Sequence, residues 1–119
     1  MSHITLFMNN YSLLLKDTSE NGSSFKVDLL SVKKAALILR AINHKLRQQI
    51  IKLIDEHEKI TVTELYVKLR LEQSVASQHL AILRKAGFVK TIRDGKFIFY
   101  SMNLTRMKEL SQFVDDLLT

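Results

Sequence analysis

The chain has 119 residues, of which 46% are hydrophobic and 25% charged, a composition typical of one globular domain and not of a disordered or collagen-like chain. Its 18 Lys and Arg residues outnumber its 12 Asp and Glu residues, so the formal net charge is +6, and a small domain this basic often binds a polyanion. The absence of Cys excludes disulfides, thiol nucleophiles, zinc-ribbon sites and iron–sulfur clusters.

The chain shows neither an export signal nor a membrane-spanning segment. The apolar run Leu13-Leu14-Leu15 is too short for a signal peptide, and no run approaches the 18 apolar residues of a membrane helix. We therefore expect a cytoplasmic protein. Phosphate-loop, zinc-protease and nucleophile-elbow motifs are also absent, so we expect no enzymatic activity, no cofactor and no metal site.

The first residues differ in pattern from the rest of the chain. The polar stretch 18–24 is rich in Ser and Gly and is typical of a linker or loop. Upstream of it, alternating apolar residues indicate a short strand at Ile4, Leu6 and Met8. We therefore predict an N-terminal extension over 1–24, disordered in part, and a folded domain over 25–119.

A helical pattern begins near Lys26. Apolar residues recur with a 3.6-residue period at Leu29, Val32, Ala36 and Leu39. Asn43 is a suitable N-cap for a second helix, whose inner face carries Leu46, Ile50, Leu53 and Ile54.

Two short helices with a tight turn follow. Thr61-Val62-Thr63-Glu64 is a capping box and begins a third helix. A turn at 70–72 leads to a fourth helix over about 73–85, and Gly87 can end that helix in a left-handed conformation. The buried face of the fourth helix is predicted to carry Ala76, Leu80 and Leu83.

The period then changes from 3.6 to 2. The β-rich stretch 88–93 leads into Asp94-Gly95, which predicts a type I′ hairpin turn, and 96–100 is the return strand. Phe97 and Phe99 share one face of this strand, and we expect them to pack against the helices. Thr105 is predicted to cap a last helix with Met107, Leu110, Val114 and Leu117 facing inward.

This order of elements predicts a winged helix-turn-helix: mainly α with a small β-hairpin, in the order α1-α2-α3-α4-β-β-α5. The second helix of such a motif enters the major groove, and the wing reaches the neighbouring backbone. We therefore expect a recognition helix at about 73–85 and a wing at about 90–99. The candidate DNA-binding residues are Gln73, Ser74, Ser77, Gln78, His79, Arg84, Arg93 and Lys96.

Each of these residues also has a purely structural interpretation. The polar side chains of the recognition helix could be a solvated face, and Arg93 and Lys96 could simply keep a strand edge soluble. His79 is equally compatible with a phosphate contact and with a hydrogen bond inside the domain.

The last helix has more apolar residues than one small domain can cover, which indicates self-association.

The motifs together resemble those of the ArsR/SmtB family of bacterial repressors. The resemblance spans about 33–103 and rests on the string Gln73–Leu80, the string Leu83–Val89 and the Asp94-Gly95-Lys96 wing. It implies a homodimeric winged-helix regulator that occludes a promoter and leaves it when an inducer binds. It also implies that the first and last helices form the dimer.

The sensor motifs of that family are missing here. The first helix of the helix-turn-helix has no Cys, and the last helix offers Asp115 and Asp116 but no His. The resemblance therefore assigns no effector. The competing interpretation is a winged-helix module for protein interaction or architecture, without specific DNA readout.

Overall fold

The structure is a computed structural model that describes residues 11–19 and 22–119. The strand expected around Ile4, Leu6 and Met8 lies outside these residues. The described residues form two compact units that divide between Leu39 and Arg40. In chain order the elements are β1 (Ser12–Asp17), β2 (Ser23–Asp28), α1 (Leu29–Ile42), α2 (Lys45–His57), β3 (Lys59–Thr61), α3 (Val62–Leu69), α4 (Gln73–Lys85), β4 (Val89–Asp94), β5 (Phe97–Met102) and α5 (Leu104–Leu118).

The first unit contains an antiparallel hairpin of β1 and β2. Its cross-strand pairs include Leu13 with Val27 and Leu15 with Phe25, so four apolar side chains share one face. Sequence reasoning missed this hairpin and began the helix at Lys26, which instead lies in β2. The compositional boundary at 24/25 also falls inside β2, and independent folding of 25–119 stays a prediction.

Helix α1 begins directly after this hairpin. The carboxylate of Asp28 accepts hydrogen bonds from the Leu30 N–H at 3.0 Å and from the Ser31 hydroxyl at 2.8 Å. These bonds stabilise the ionised form, and the Ser31 bond most of all holds the pKa of Asp28 below its usual value. The negative charge also suits the helix N-terminus.

The second unit packs α2, α3 and α4 against a three-stranded sheet of order β3-β5-β4. Its core consists of side chains with no solvent exposure, and it confirms the inward stripes predicted for these helices. The fully buried apolar residues are Ile50, Ile54, Ile60, Leu65, Ala76, Leu80, Leu83 and Phe88. Since each buried aliphatic or aromatic side chain contributes about 1.5–3 kcal/mol, this core holds the helix-turn-helix in place.

The helix caps are partly as predicted. The capping box of Thr61 and Glu64 is present, and Gly87 has a φ of +89° just after α4, which confirms both predictions. The cap of α2 is His44 and not Asn43, because the His44 ring nitrogen accepts from the backbone there. The cap of α5 is Asn103 and not Thr105, since the Asn103 side chain accepts from the Arg106 N–H.

The wing differs from its prediction in two details. Its two-residue turn is Gly95-Lys96, one residue later than expected, because Asp94 still pairs with Phe97. Among the described residues, Gly95 has a φ of +64° while Lys96 is not in the positive-φ region, a pattern of type II′ and not type I′. Strand β3, which pairs with β5, was not predicted at all.

The two wing phenylalanines lie on the outer face of the sheet. On β5, Tyr100 pairs with the buried Ile60 and Met102 pairs with the buried Val89, so these two residues face the core. Phe97 and Phe99 occupy the alternate positions of the same strand and therefore point to the other side of the sheet. Phe97 is 53% exposed, and the ammonium of Lys96 lies 5.7 Å from its ring centre. The expectation that both rings pack against the helices was therefore wrong.

Within the described residues, no helix is both long and apolar enough to cross a membrane.

Candidate nucleic-acid interface

Helices α3 and α4 form a helix-turn-helix joined by residues 70–72. The turn begins with Arg70 in a left-handed conformation at φ +56°. The Leu71 N–H then donates to the carbonyl of Tyr66 at 2.9 Å, which closes the end of α3 in the manner of a helix C-cap. Leu65 on α3 and Ala76 on α4 are both fully buried, so the two helices are held on the same core.

Helix α4 has one buried and one exposed face. Ala76, Leu80 and Leu83 point into the core. The predicted residues Gln73, Ser74, Ser77, Gln78 and Arg84 are all exposed. At about 3.6 residues per turn, Ser74 and Gln78 lie opposite the buried stripe, whereas Gln73 and Arg84 lie beside it. The structure thus brings these five together on the exposed surface of one helix, with the hydrogen-bonding groups that read base edges and phosphates.

The wing supplies two further predicted residues. Arg93 lies near the end of β4, Lys96 lies in the turn, and both are exposed. The wing is continuous with the sheet, because β4 and β5 pair over all six residues of each strand. The hydrogen-bonded sheet therefore holds the backbone that carries the exposed side chains of Arg93 and Lys96.

The helix-turn-helix and wing carry an excess of exposed positive charge. The cations are Lys68, Arg70, Arg84, Lys85, Lys90, Arg93 and Lys96, against three exposed acids, Glu64, Glu72 and Asp94. In the part of the chain that the structure describes, none of these cations forms an ion pair; the ion pair found there joins Arg106 to Glu109. These charges are therefore available to a polyanion.

His79, the eighth predicted residue, is half-buried at the edge of the polar face. Its Nδ1 lies 3.2 Å from Nη1 of Arg47, and its ring centre is 5.0 Å from that of His44. Burial lowers the pKa of His79 below its usual value, and the nearby His44 and Arg47 lower it further. One ring nitrogen is thus engaged inside the domain, and Nε2 is the atom that remains for a DNA contact.

Arg47 was not predicted as a functional residue. It lies on the inner face of α2 and is only 7% exposed, which is unusual for an arginine. Arg47 lies three residues before Ile50 and seven before Ile54 and therefore shares their helix face, but a charged residue in an amphipathic helix is normally assigned to the outer face. Only the tertiary structure reveals its partners.

Comparison with known proteins supports the same interpretation. Residues 44–91 match the family described as bacterial regulatory protein, arsR family. The chain is 38% identical over 85 residues to an HTH-type transcriptional regulator of Methanocaldococcus jannaschii, an alignment that covers 71% of this chain and 96% of that protein. The chain belongs to the ArsR family.

Two members with solved structures extend this comparison. The present chain is 36% identical over 81 residues to the transcriptional activator HlyU of Vibrio cholerae, and the alignment covers 68% of this chain and 74% of HlyU. A solved structure of reduced HlyU from Vibrio cholerae matches at 33% identity and a TM-score of 0.57, over 73% of this chain and 90% of HlyU. The transcriptional repressor PagR of Bacillus anthracis matches at 29% identity and a TM-score of 0.58, over 73% of this chain and 99% of PagR.

The family assignment confirms three predictions made from the sequence. The resemblance to ArsR proteins, the winged-helix fold and the role of a DNA-binding transcriptional regulator all agree with these relatives. The ArsR regulator is not an enzyme. The competing interpretation, a winged-helix module without DNA readout, finds no support among the relatives.

Proposed function

We propose that this ArsR regulator acts in the cytoplasm, binds operator DNA as a homodimer and controls transcription by occluding a promoter. Helix α4 lies in the major groove, and the wing over about 90–99 contacts the adjacent backbone. The observation that carries this proposal is the juxtaposition of an exposed Gln/Ser face on α4 with a cationic wing in the same unit.

The residues on this surface have separate roles. The side-chain amides of Gln73 and Gln78 suit adenine, since one amide can both donate to and accept from its edge. Ser74 and Ser77 bond either a base or a phosphate. The cations Arg84, Arg93 and Lys96 neutralise phosphates, a contribution that orients the protein without reading sequence.

The proposed dimer uses the first and last helices. Among the described residues, no side chain of α5 is buried, and Leu117 and Leu118 are 67% and 79% exposed. On α1, Val32 and Leu37 are 51% and 54% exposed. Such apolar side chains need a partner, and for each of the two helices the partner we propose is a second copy of the chain related by a two-fold axis.

Selection from a random duplex library tests the DNA proposal. We expect a preferred sequence with two half-sites about one helical turn, roughly 34 Å, apart. We expect the logarithm of the association constant for this duplex to fall linearly and steeply with the logarithm of the salt concentration. No enriched sequence together with a flat salt dependence would contradict specific DNA binding.

Sedimentation of the free protein tests the homodimer. Leu117→Asp places a charge in the proposed apolar interface, and we expect it to shift the protein from dimer to monomer. Thr105→Asp is the matched control, since it adds the same charge at the exposed beginning of α5, where the helix dipole tolerates an acid. A dimer that survives Leu117→Asp unchanged would argue against this interface.

A further inference from the structure

Arg47 connects three elements of the second unit. Its Nε donates to the carbonyl of Ala41 at 2.7 Å and its Nη2 donates to the carbonyl of Arg40 at 3.1 Å, both at the end of α1. Its Nη1 lies 3.2 Å from His79 Nδ1 on α4. One buried guanidinium on α2 therefore joins the end of α1 to the recognition helix.

This contact defines the protonation state of His79. A guanidinium can only donate hydrogen bonds. The Nδ1 of His79 must therefore carry a lone pair, and the proton of a neutral imidazole is then on Nε2. A second proton on His79 would place an N–H against an N–H and a cation against a cation.

The surroundings of His79 offer no compensation for that charge. From α2 and its cap, Arg47 and His44 face the ring. His44 Nδ1 accepts from the N–H groups of Leu46 and Arg47 at 3.2 and 3.4 Å, so this nitrogen of His44 is engaged with the backbone. The end of α1 contacts Arg47 through two carbonyls, and across residues 11–19 and 22–119 no carboxylate lies within ion-pair distance of His79 or Arg47.

We propose that Arg47 and His79 are positioning residues for the recognition helix, and that their hydrogen bond, which exists only while His79 is neutral, makes DNA affinity fall in mildly acidic solution. This proposal rests on the proposed function, because the affected property is operator binding by α4. The downward shift in the pKa of His79 agrees with it, since both burial and the facing groups favour the neutral ring.

The two possible roles of His79 predict opposite effects of pH. If His79 contacted a phosphate directly, its protonation would add a cation and strengthen DNA binding as the pH falls. If His79 holds α4 through Arg47, its protonation breaks that bond and weakens binding. The sign of the pH dependence therefore separates the roles.

The test uses the full chain and the duplex selected from a random library at pH 7.5. Affinity is measured between pH 7.5 and 5.5 at constant ionic strength for the wild type, His79→Asn and His79→Leu. We expect the wild type to lose about tenfold in affinity, the size of one charge-assisted hydrogen bond. His79→Asn keeps an acceptor near the Nδ1 position that cannot be protonated in this range, so we expect its affinity, whatever its level at pH 7.5, to show no such loss on acidification.

His79→Leu removes the acceptor, and we expect its affinity at every pH to be about tenfold below that of the wild type at pH 7.5. His57→Asn is the matched control, since His57 is an exposed histidine at the end of α2, and its pH profile should equal that of the wild type. Tighter wild-type binding at low pH that His79→Asn abolishes would overturn the proposal in favour of a phosphate contact. Identical profiles for wild type and His79→Asn would also overturn it.

A measurement without DNA keeps the proposal separate from the proposed function. The imidazole signal of His79 is titrated by NMR in the wild type and in Arg47→Met. We expect the pKa of His79 to lie below its usual value of 6.5 in the wild type and to rise when Arg47 is removed. A failed library selection would refute the proposed function alone, whereas a His79 signal that ignores Arg47→Met would refute the Arg47–His79 bond.

Discussion

Asn103 joins the end of the recognition helix to the beginning of α5. Its Nδ2 donates to the carbonyl of Gly87 at 3.0 Å, while its Oδ1 accepts from the Arg106 N–H at 3.2 Å. The Asn103 N–H also donates to the carbonyl of Phe88 at 2.9 Å. One residue thus caps α5 and holds the segment that follows α4.

Asn103→Ala is expected to destabilise the protein. The substitution removes a helix cap, which alone is worth about 0.5–2 kcal/mol, and leaves the Gly87 carbonyl without its side-chain donor. Thr105→Ala is the control, because Thr105 is exposed and is not the cap, and we expect a change within about 0.5 kcal/mol. Urea unfolding of both variants measures the difference, and equal effects would show that the cap is not where the structure places it.

Gly87→Ala is expected to cost more than Gly95→Ala. Both glycines have positive φ, +89° and +64°, so each substitution forces a left-handed conformation at about 1–2 kcal/mol. A Cβ at Gly87 would also lie 3.2 Å from Nε of Arg106, whereas a Cβ at Gly95 meets no atom within 4 Å. Because the Arg106 side chain donates to the Ala86 carbonyl, it cannot move freely. Thermal unfolding that gives equal losses would contradict the crowding at Gly87.

Gln78→Ala tests the reading face of α4. If Gln78 bonds a base, its loss should cost about 1–3 kcal/mol against the selected duplex and relax the preference at one base pair. Ser77→Ala, one position away on the same exposed face, provides the comparison for a shorter side chain. The measurement is affinity for the selected duplex and for each single-base variant of it. An unchanged preference after Gln78→Ala would mean that α4 presents a different face to DNA.

Lys96→Ala tests the wing. A phosphate contact carries no sequence information, so we expect affinity to fall by a similar factor for specific and non-specific duplexes. The slope of log affinity against log salt should decrease by about one. Lys52→Ala, which removes an exposed cation from α2, is the control and should leave the slope unchanged. An altered base preference without a change in slope would assign Lys96 to base reading.

The free energy of unfolding should decrease as the pH falls through about 6.5. The pKa of His79 is lower in the folded chain than its usual value of 6.5, with burial as the main cause. The unfolded chain therefore binds the proton first, and stability is lost as the pH decreases from about 6.5, then levels off below the folded pKa. Urea unfolding at several pH values should show a smaller loss for His79→Asn than for the wild type. Parallel curves would contradict the lowered pKa.

Much of the second unit was evident in the sequence because its signals are local. The capping box at Thr61, the 3.6-residue stripe through Leu80 and Leu83 and the left-handed glycine at 87 each depend on a few neighbouring residues. The change from a 3.6-residue to a 2-residue period after Gly87 predicted the wing for the same reason. These local signals placed α2, α3, α4, the wing and α5 in order.

The missed elements depend on distant partners. Strand β3 has only three residues, and it exists because Ile60 pairs with Tyr100, forty residues later. The N-terminal hairpin is likewise stabilised by cross-strand pairs, and from the sequence alone the part of β2 after Lys26 also fits the beginning of α1. The outward position of Phe97 and Phe99 follows from which sheet face meets the core, and strand parity alone does not decide that.

The sequence by itself therefore determined the family and the order of the main elements, and it supplied the residues that we propose for DNA contact, since caps, turns and periodicity are properties of adjacent residues. Only the tertiary structure decided where His79 and Arg47 belong. Their relation joins helices that are thirty-two residues apart, and a buried arginine is recognised by the carbonyls around it, not by its neighbours in the chain.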